Sequence, residues 1–136
     1  MIKKTVKYVD YNGRETTEEL YFDMSALAFT KFAAKYSDFS NIDLESDNSV
    51  IEAVRAFLDK IIKENDLSKM IEFLEEFILS AYGEKASDGK HFFKTKEIKT
   101  NFENSLAFAQ IFEDLILRQD SIQPFVAGVL GLEEVK

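Results

Sequence analysis

The chain has 136 residues, of which 46% are hydrophobic and 31% charged, and a formal net charge of -8. That is one domain's length, expected as a single unit over 1–136, long enough to bury about two thirds of its unfolded surface. Its acidic field repels phosphate backbones and anionic lipid, so neither nucleic acid nor a membrane is an expected partner.

No cysteine occurs, which removes disulfides, thiolate metal sites and cysteine nucleophiles together and fits a reducing compartment. Met1-Ile2-Lys3-Lys4 has no apolar run behind it, so no signal peptide is expected. No stretch is long and apolar enough to cross a bilayer.

The first element reads as a β-hairpin within residues 3–22. Segments 5–11 and 15–22 are rich in Val, Tyr, Thr and Phe and meet at Asn12-Gly13, the preferred pair for a two-residue turn with positive φ at both central positions. Val6 and Tyr8 share one face of the first strand, Leu20 and Phe22 one face of the second. A lone hairpin is marginal, so it must pack on helices or on another copy of itself.

The helical part spans 24–130. Leu27, Ala28, Phe32 and Ala34 predict a first helix over 24–36, capped by Asp23 or Ser25. Residues 37–49 are polar. Asp43, Glu45 and Asp47 alternate there like calcium-loop ligands, but Asn48 stands where that loop needs Gly and Val54 where it needs Glu, which favours a solvated acidic loop.

Ser49 and Glu52 have capping-box spacing, and Ile51, Val54, Leu58, Ile61 and Ile62 continue a second helical stripe. A third helix is expected over 67–82, antiparallel to the second. A glycine-punctuated loop follows, in which Gly83 is expected to end the helix in a left-handed cap and Asp88-Gly89 to make a tight turn. Residues 96–118 read as one long helix with Ile98, Phe102, Leu106, Ala109, Phe112 and Leu115 at helical spacing. A short last helix spans 122–130 with Pro124 in its first turn, and 131–136 is a brief polar tail. The fold class is α+β, mostly α: an N-terminal hairpin followed by about five helices in a compact helical domain.

Chemistry is sparse. His91 is the sole histidine, and Ser87 and Asp88 lie within one turn of it, unlike a triad gathered from distant segments. The five glycines are scattered and form no phosphate loop. Neither catalysis, a metal nor a cofactor is expected. The 13 phenylalanines, with no tryptophan, are mostly core. Pairs that cannot all face inward, Phe92 with Phe93 and Phe102 with Phe108, are candidates for an apolar groove that takes another protein.

The ordered set Ala81-Tyr82-Gly83, Lys85, Asp88-Gly89, Phe92 and Lys94, then Glu97, Phe102, Ser105, Ala107 and Phe112, resembles the tail assembly chaperones of long-tailed bacteriophages. The opening VKYVDYNGRE and the closing Phe125-Val126-Ala127-Gly128-Val129 resemble that family as well. The resemblance implies a noncatalytic chaperone in the host cell cytoplasm that binds the helical tape measure protein, keeps it soluble while tail tube subunits assemble, and is absent from the virion. It also implies a longer product, made by programmed ribosomal frameshift, that recruits the tail tube protein.

Self-association, through the hairpin edge, is a further expectation. Client binding is expected around Tyr82, Phe92, Phe93, Phe102, Phe108 and Phe112. The rival reading from the residues is a small acidic helical adaptor or regulatory protein that binds one globular partner.

Overall fold

The computed structural model describes residues 1–33, 35, 52–53, 55–56, 59–60, 63–64 and 66–131. Strands β1 (Ile2–Val9) and β2 (Glu15–Phe22) pair antiparallel over their full length, Ile2 opposite Phe22 and Val9 opposite Glu15. Strict alternation puts Val6, Leu20 and Phe22 on one face, and each is at most 2% exposed. On the same face the Tyr8 hydroxyl donates to Glu18 at 2.8 Å, and this bond, with burial, pushes the Tyr8 phenol up to about 12.

The connecting turn differs from the two-residue form expected at Asn12-Gly13. Gly13 N–H donates to Asp10 O at 3.0 Å and Asp10 N–H to Arg14 O at 2.9 Å, and Gly13 takes a positive φ, of 79°. This is a longer loop built on an ordinary turn with a left-handed glycine. Asp10 selects it: its carboxylate accepts the N–H groups of Asn12 and Arg14, both at 2.9 Å.

Helix α1 (Ala26–Ala33) starts at Ser25, whose hydroxyl accepts the Ala28 N–H at 3.1 Å. Asp23 lies 3.2 Å from the N-terminal amine instead of serving as cap. Of the helix expected beyond residue 49, Glu52, Ala53, Arg55, Ala56, Asp59, Lys60 and Lys63 are described and helical. Its capping box, its pairing with the next helix and the acidic stretch at Asp43, Glu45 and Asp47 lie outside the described residues. Helix α2 (Leu67–Ala81) is capped by Asp66, which accepts the Lys69 N–H at 3.0 Å, and buries Met70, Phe73, Leu74, Phe77 and Ile78.

The loop after α2 contains two more strands, β3 (Tyr82–Lys85) and β4 (Phe92–Phe93), which extend the hairpin into a four-stranded antiparallel sheet of order β1-β2-β3-β4. The expected single helix over 96–118 is in fact two, α3 (Lys96–Glu103) and α4 (Leu106–Leu117). Asn104 and Ser105 break it by offering side-chain partners to the backbone. Ser105 is extended at φ -95 and ψ 155; its hydroxyl donates to Phe102 O at 2.6 Å and accepts the Phe108 N–H at 3.1 Å, while the Asn104 amide donates to Thr100 O at 2.8 Å. Helix α5 (Ile122–Val129) follows, and Val129 O accepts the Met24 N–H at 3.2 Å, which ties the end of α5 to the exit of β2.

The helices cover one face of the sheet, with α4 and α5 against β1. The α+β, mostly α architecture is therefore observed, an N-terminal strand pair followed by helices. No helix among the described residues is long and apolar enough to cross a membrane.

Candidate protein-binding site

The segment after α2 is a structural device first. Tyr82 takes an extended conformation, φ -67 and ψ 141, so α2 stops and β3 begins without a loop. Gly83 pairs with Tyr21 in this strand and has no positive φ, so the left-handed cap expected there is absent. Its lack of a side chain serves a different end. A Cβ at Gly83 would sit 2.5 Å from the Phe92 ring, which lies across the backbone there. Gly128 has the same role in α5, where a Cβ would meet Ile2 of β1 at 2.6 Å.

Lys94 completes the device. Its ammonium donates to Ser80 O at 3.1 Å and to Asp23 O, and lies 5.8 Å from the Phe92 ring centroid. It thus supplies a cation to the carbonyl end of α2 and fastens that end to the exit of β2. Burial lowers its pKa, and the nearby Asp23 charge partly opposes this.

At the tip, Asp88 accepts the Lys90 N–H at 2.8 Å and faces His91 Nδ1 at 3.0 Å, and these bonds hold its carboxyl below the usual range. Both side chains are exposed, and no nucleophile among the described residues joins them. The pair closes a turn.

Gly83→Ala is expected to destabilise the fold by about 1 kcal/mol, because the Phe92 ring must swing away while the backbone conformation suits any residue. In a Phe92→Ala background the same change should cost nothing. Urea denaturation of the four species closes the cycle; a coupling of zero would mean that the ring contact carries no energy.

The six aromatic positions expected at the site separate into groups. Phe102 is 4% exposed and stacks on the half-buried Tyr82, with ring centroids 3.7 Å apart and planes within 8°. Burial raises the Tyr82 phenol pKa, with a smaller contribution from the Glu84 charge. Phe92 covers Gly83, and Phe93 is exposed and stacked on His91 at 5.8 Å.

Phe108 and Phe112 continue outward from Phe102, edge to face at 5.4 Å and then 5.8 Å. They end a continuous run of rings from the core, through Phe77, Phe125, Phe22 and Phe102 at centroid distances of 6.1, 5.3 and 6.1 Å. The break at Ser105 makes this possible, since it lets α3 send Phe102 inward while α4 lays Phe108 against it.

Phe108 and Phe112 also line an open cleft of about 470 Å³. Leu106 and Ala109 add to its apolar wall, Asn104 and Ser105 line it where the helix breaks, and Tyr11 reaches it from the tip of the hairpin. Its remaining lining residues are Glu75 of α2, Glu103 of α3 and Glu113 of α4. All three are exposed. The cleft has apolar area with carboxylates around it, which suits noncovalent association with an amphipathic segment.

Tyr11 and Glu75 escaped the sequence reading. Tyr11 reads there as a strand residue but is 87% exposed in the turn; an exposed aromatic beside Asn12-Gly13 was the available signal. Glu75 reads as a solvated face, and only the packing of α2 beside α3 and α4 brings it to this rim.

Neither a curated protein nor a solved structure matches the chain. The sequence model of the family described as phage tail assembly chaperone matches residues 1–133. That match covers the opening strands, both contact glycines, Lys94 and every residue of the cleft, and the chain belongs to the phage tail assembly chaperone family.

Proposed function

We propose that this chain binds the tape measure protein noncatalytically and keeps it soluble in the host cell cytoplasm while tail tube subunits assemble. The cleft carries this reading, with Phe108 and Phe112 presented on α4 in a surface open enough to receive a helix face. Of the six aromatic candidates, these two make the contact, with Tyr82 and Phe102 behind them as support and Phe92 and Phe93 in the adjoining hairpin. Burial of client apolar area supplies affinity at about 25 cal/mol per Å², and the net charge of -8 disperses the complex.

Tube subunits release the client by competition, and a longer frameshifted form recruits them. Self-association belongs to the same reading, since β1 ends the sheet with one edge open to a further strand among the described residues.

Co-expression with the tape measure protein, followed by sedimentation and tag pull-down, tests it. A soluble client that co-purifies with several copies of this chain is the expected result. An insoluble client, with this chain alone in the supernatant, overturns it and favours an adaptor for one globular partner.

A further inference from the structure

We infer that the cleft selects a basic amphipathic helix, a segment of the tape measure protein whose apolar stripe is bordered by Lys or Arg. This rests on the function proposed above and specifies the chemistry of the client. Three observations carry it.

First, Glu75, Glu103 and Glu113 come from three different helices yet converge on one apolar floor, and among the described residues no Lys or Arg lines the cleft. A few acidic groups elsewhere have cationic partners, as in Lys3 with Glu19 at 3.7 Å, Lys35 with Glu76 at 3.7 Å and the N-terminal amine with Asp23 at 3.2 Å. The rim carboxylates have neither an ion pair nor a hydrogen bond among the described residues, so their charge is available to a ligand.

Second, the floor itself is apolar. Phe108 and Phe112 are half-buried side by side with rings 5.8 Å apart, and Ala109 between them leaves room for a side chain to approach the α4 backbone. A ligand that is only cationic would leave this surface wet. A ligand that is only apolar would leave the carboxylates without partners.

Third, the lining comes from helices, a helix junction and a hairpin tip, with no strand edge in the cleft among the described residues. An extended peptide would find no backbone ladder to join there. A helix satisfies its own backbone groups and can lie on side chains alone.

The test uses two labelled synthetic helices of about five turns, about 18 residues. Both carry Leu at i, i+3, i+4 and i+7; one is bordered by Lys and the other by Glu. Fluorescence anisotropy is read on the full chain and on the Glu75→Gln/Glu103→Gln/Glu113→Gln variant, whose substitutions are exposed and do not touch the core.

The Lys-bordered helix should bind the parent chain and lose about tenfold in affinity on the triple variant, a few-fold for each exposed pair. Raised salt should weaken it similarly. It should also bind more weakly to Phe112→Ala, and the Glu-bordered helix should not bind. Equal binding of the two helices, no binding of either, or Lys-bordered binding unchanged by the triple variant overturns the inference. So does binding unchanged by Phe112→Ala, which would leave only the chain's overall charge as its cause.

The tape measure pull-down separates this inference from the function it rests on. Equal capture by the parent chain and the triple variant overturns the acidic-rim chemistry and leaves the function standing. No capture by the parent chain overturns the function, and this inference with it.

Discussion

Phe22→Ala should destabilise the chain by about 3–5 kcal/mol, a large part of the 5–15 kcal/mol typical of a domain. Phe22 is fully buried at the end of β2, where three elements meet it edge to face: Tyr82 at 5.8 Å, Phe102 at 6.1 Å and Phe125 at 5.3 Å. Alanine there removes the ring and leaves a cavity between the sheet and two helices that cannot both collapse into it. With an urea slope of about 2 kcal/mol per M, the midpoint should fall by about 2 M. A fall of under about 0.5 M would mean that the sheet and helices are held together elsewhere.

The same variant should disturb the cleft, because Phe102 is the ring on which Phe108 rests. Tyrosine fluorescence of Tyr82, which stacks on Phe102 at 3.7 Å, should change along with far-UV signal loss at the new midpoint. Two separate transitions would show that the cleft helices unfold independently of the sheet.

What the sequence made legible follows from how local each signal is. Alternation in 15–22 and the 3.6-residue stripe of α2 are properties of single elements, so the face carrying Leu20 and Phe22 and the burial of Met70, Leu74, Phe77 and Ile78 could be read directly. Capping serines are equally local, and Ser25 starts α1 as expected.

Periodicity alone misled at 96–118, because Ile98, Phe102, Leu106, Ala109 and Phe112 keep helical spacing through the break at Ser105. The Asn104-Ser105 pair was the counter-signal, a helix end and a cap in consecutive positions. At Gly83 the right residue was noticed for the wrong reason. A glycine after a helix usually means positive φ, whereas here the need comes from a ring nine positions later. The rim of the cleft is illegible for the same reason: Tyr11, Glu75 and Glu113 are brought together only by tertiary packing.

Phe112→Ala should abolish rescue of the tape measure protein while leaving the fold in place. The ring is half-buried at the outer end of the aromatic run, where it packs on Phe108 and the margin of the core and lines the cleft, so truncating it removes a peripheral contact of the fold. Truncating a central aromatic anchor typically costs about 2 kcal/mol or more of binding, about thirtyfold in affinity. For a client that aggregates when free, that loss moves most of it to the pellet.

Phe108→Ala should lose rescue as well and stability besides, since Phe108 also packs on Phe102 at 5.4 Å. Phe93→Ala is the control: the ring is exposed on the hairpin, stacks on His91 and does not line the cleft, so rescue should be unchanged. Sedimentation of the co-expressed client, with a urea midpoint for each variant, orders the three. If Phe93→Ala loses the client and Phe112→Ala keeps it, the binding surface is the β3–β4 hairpin and the cleft on α4 is not where the tape measure protein is held.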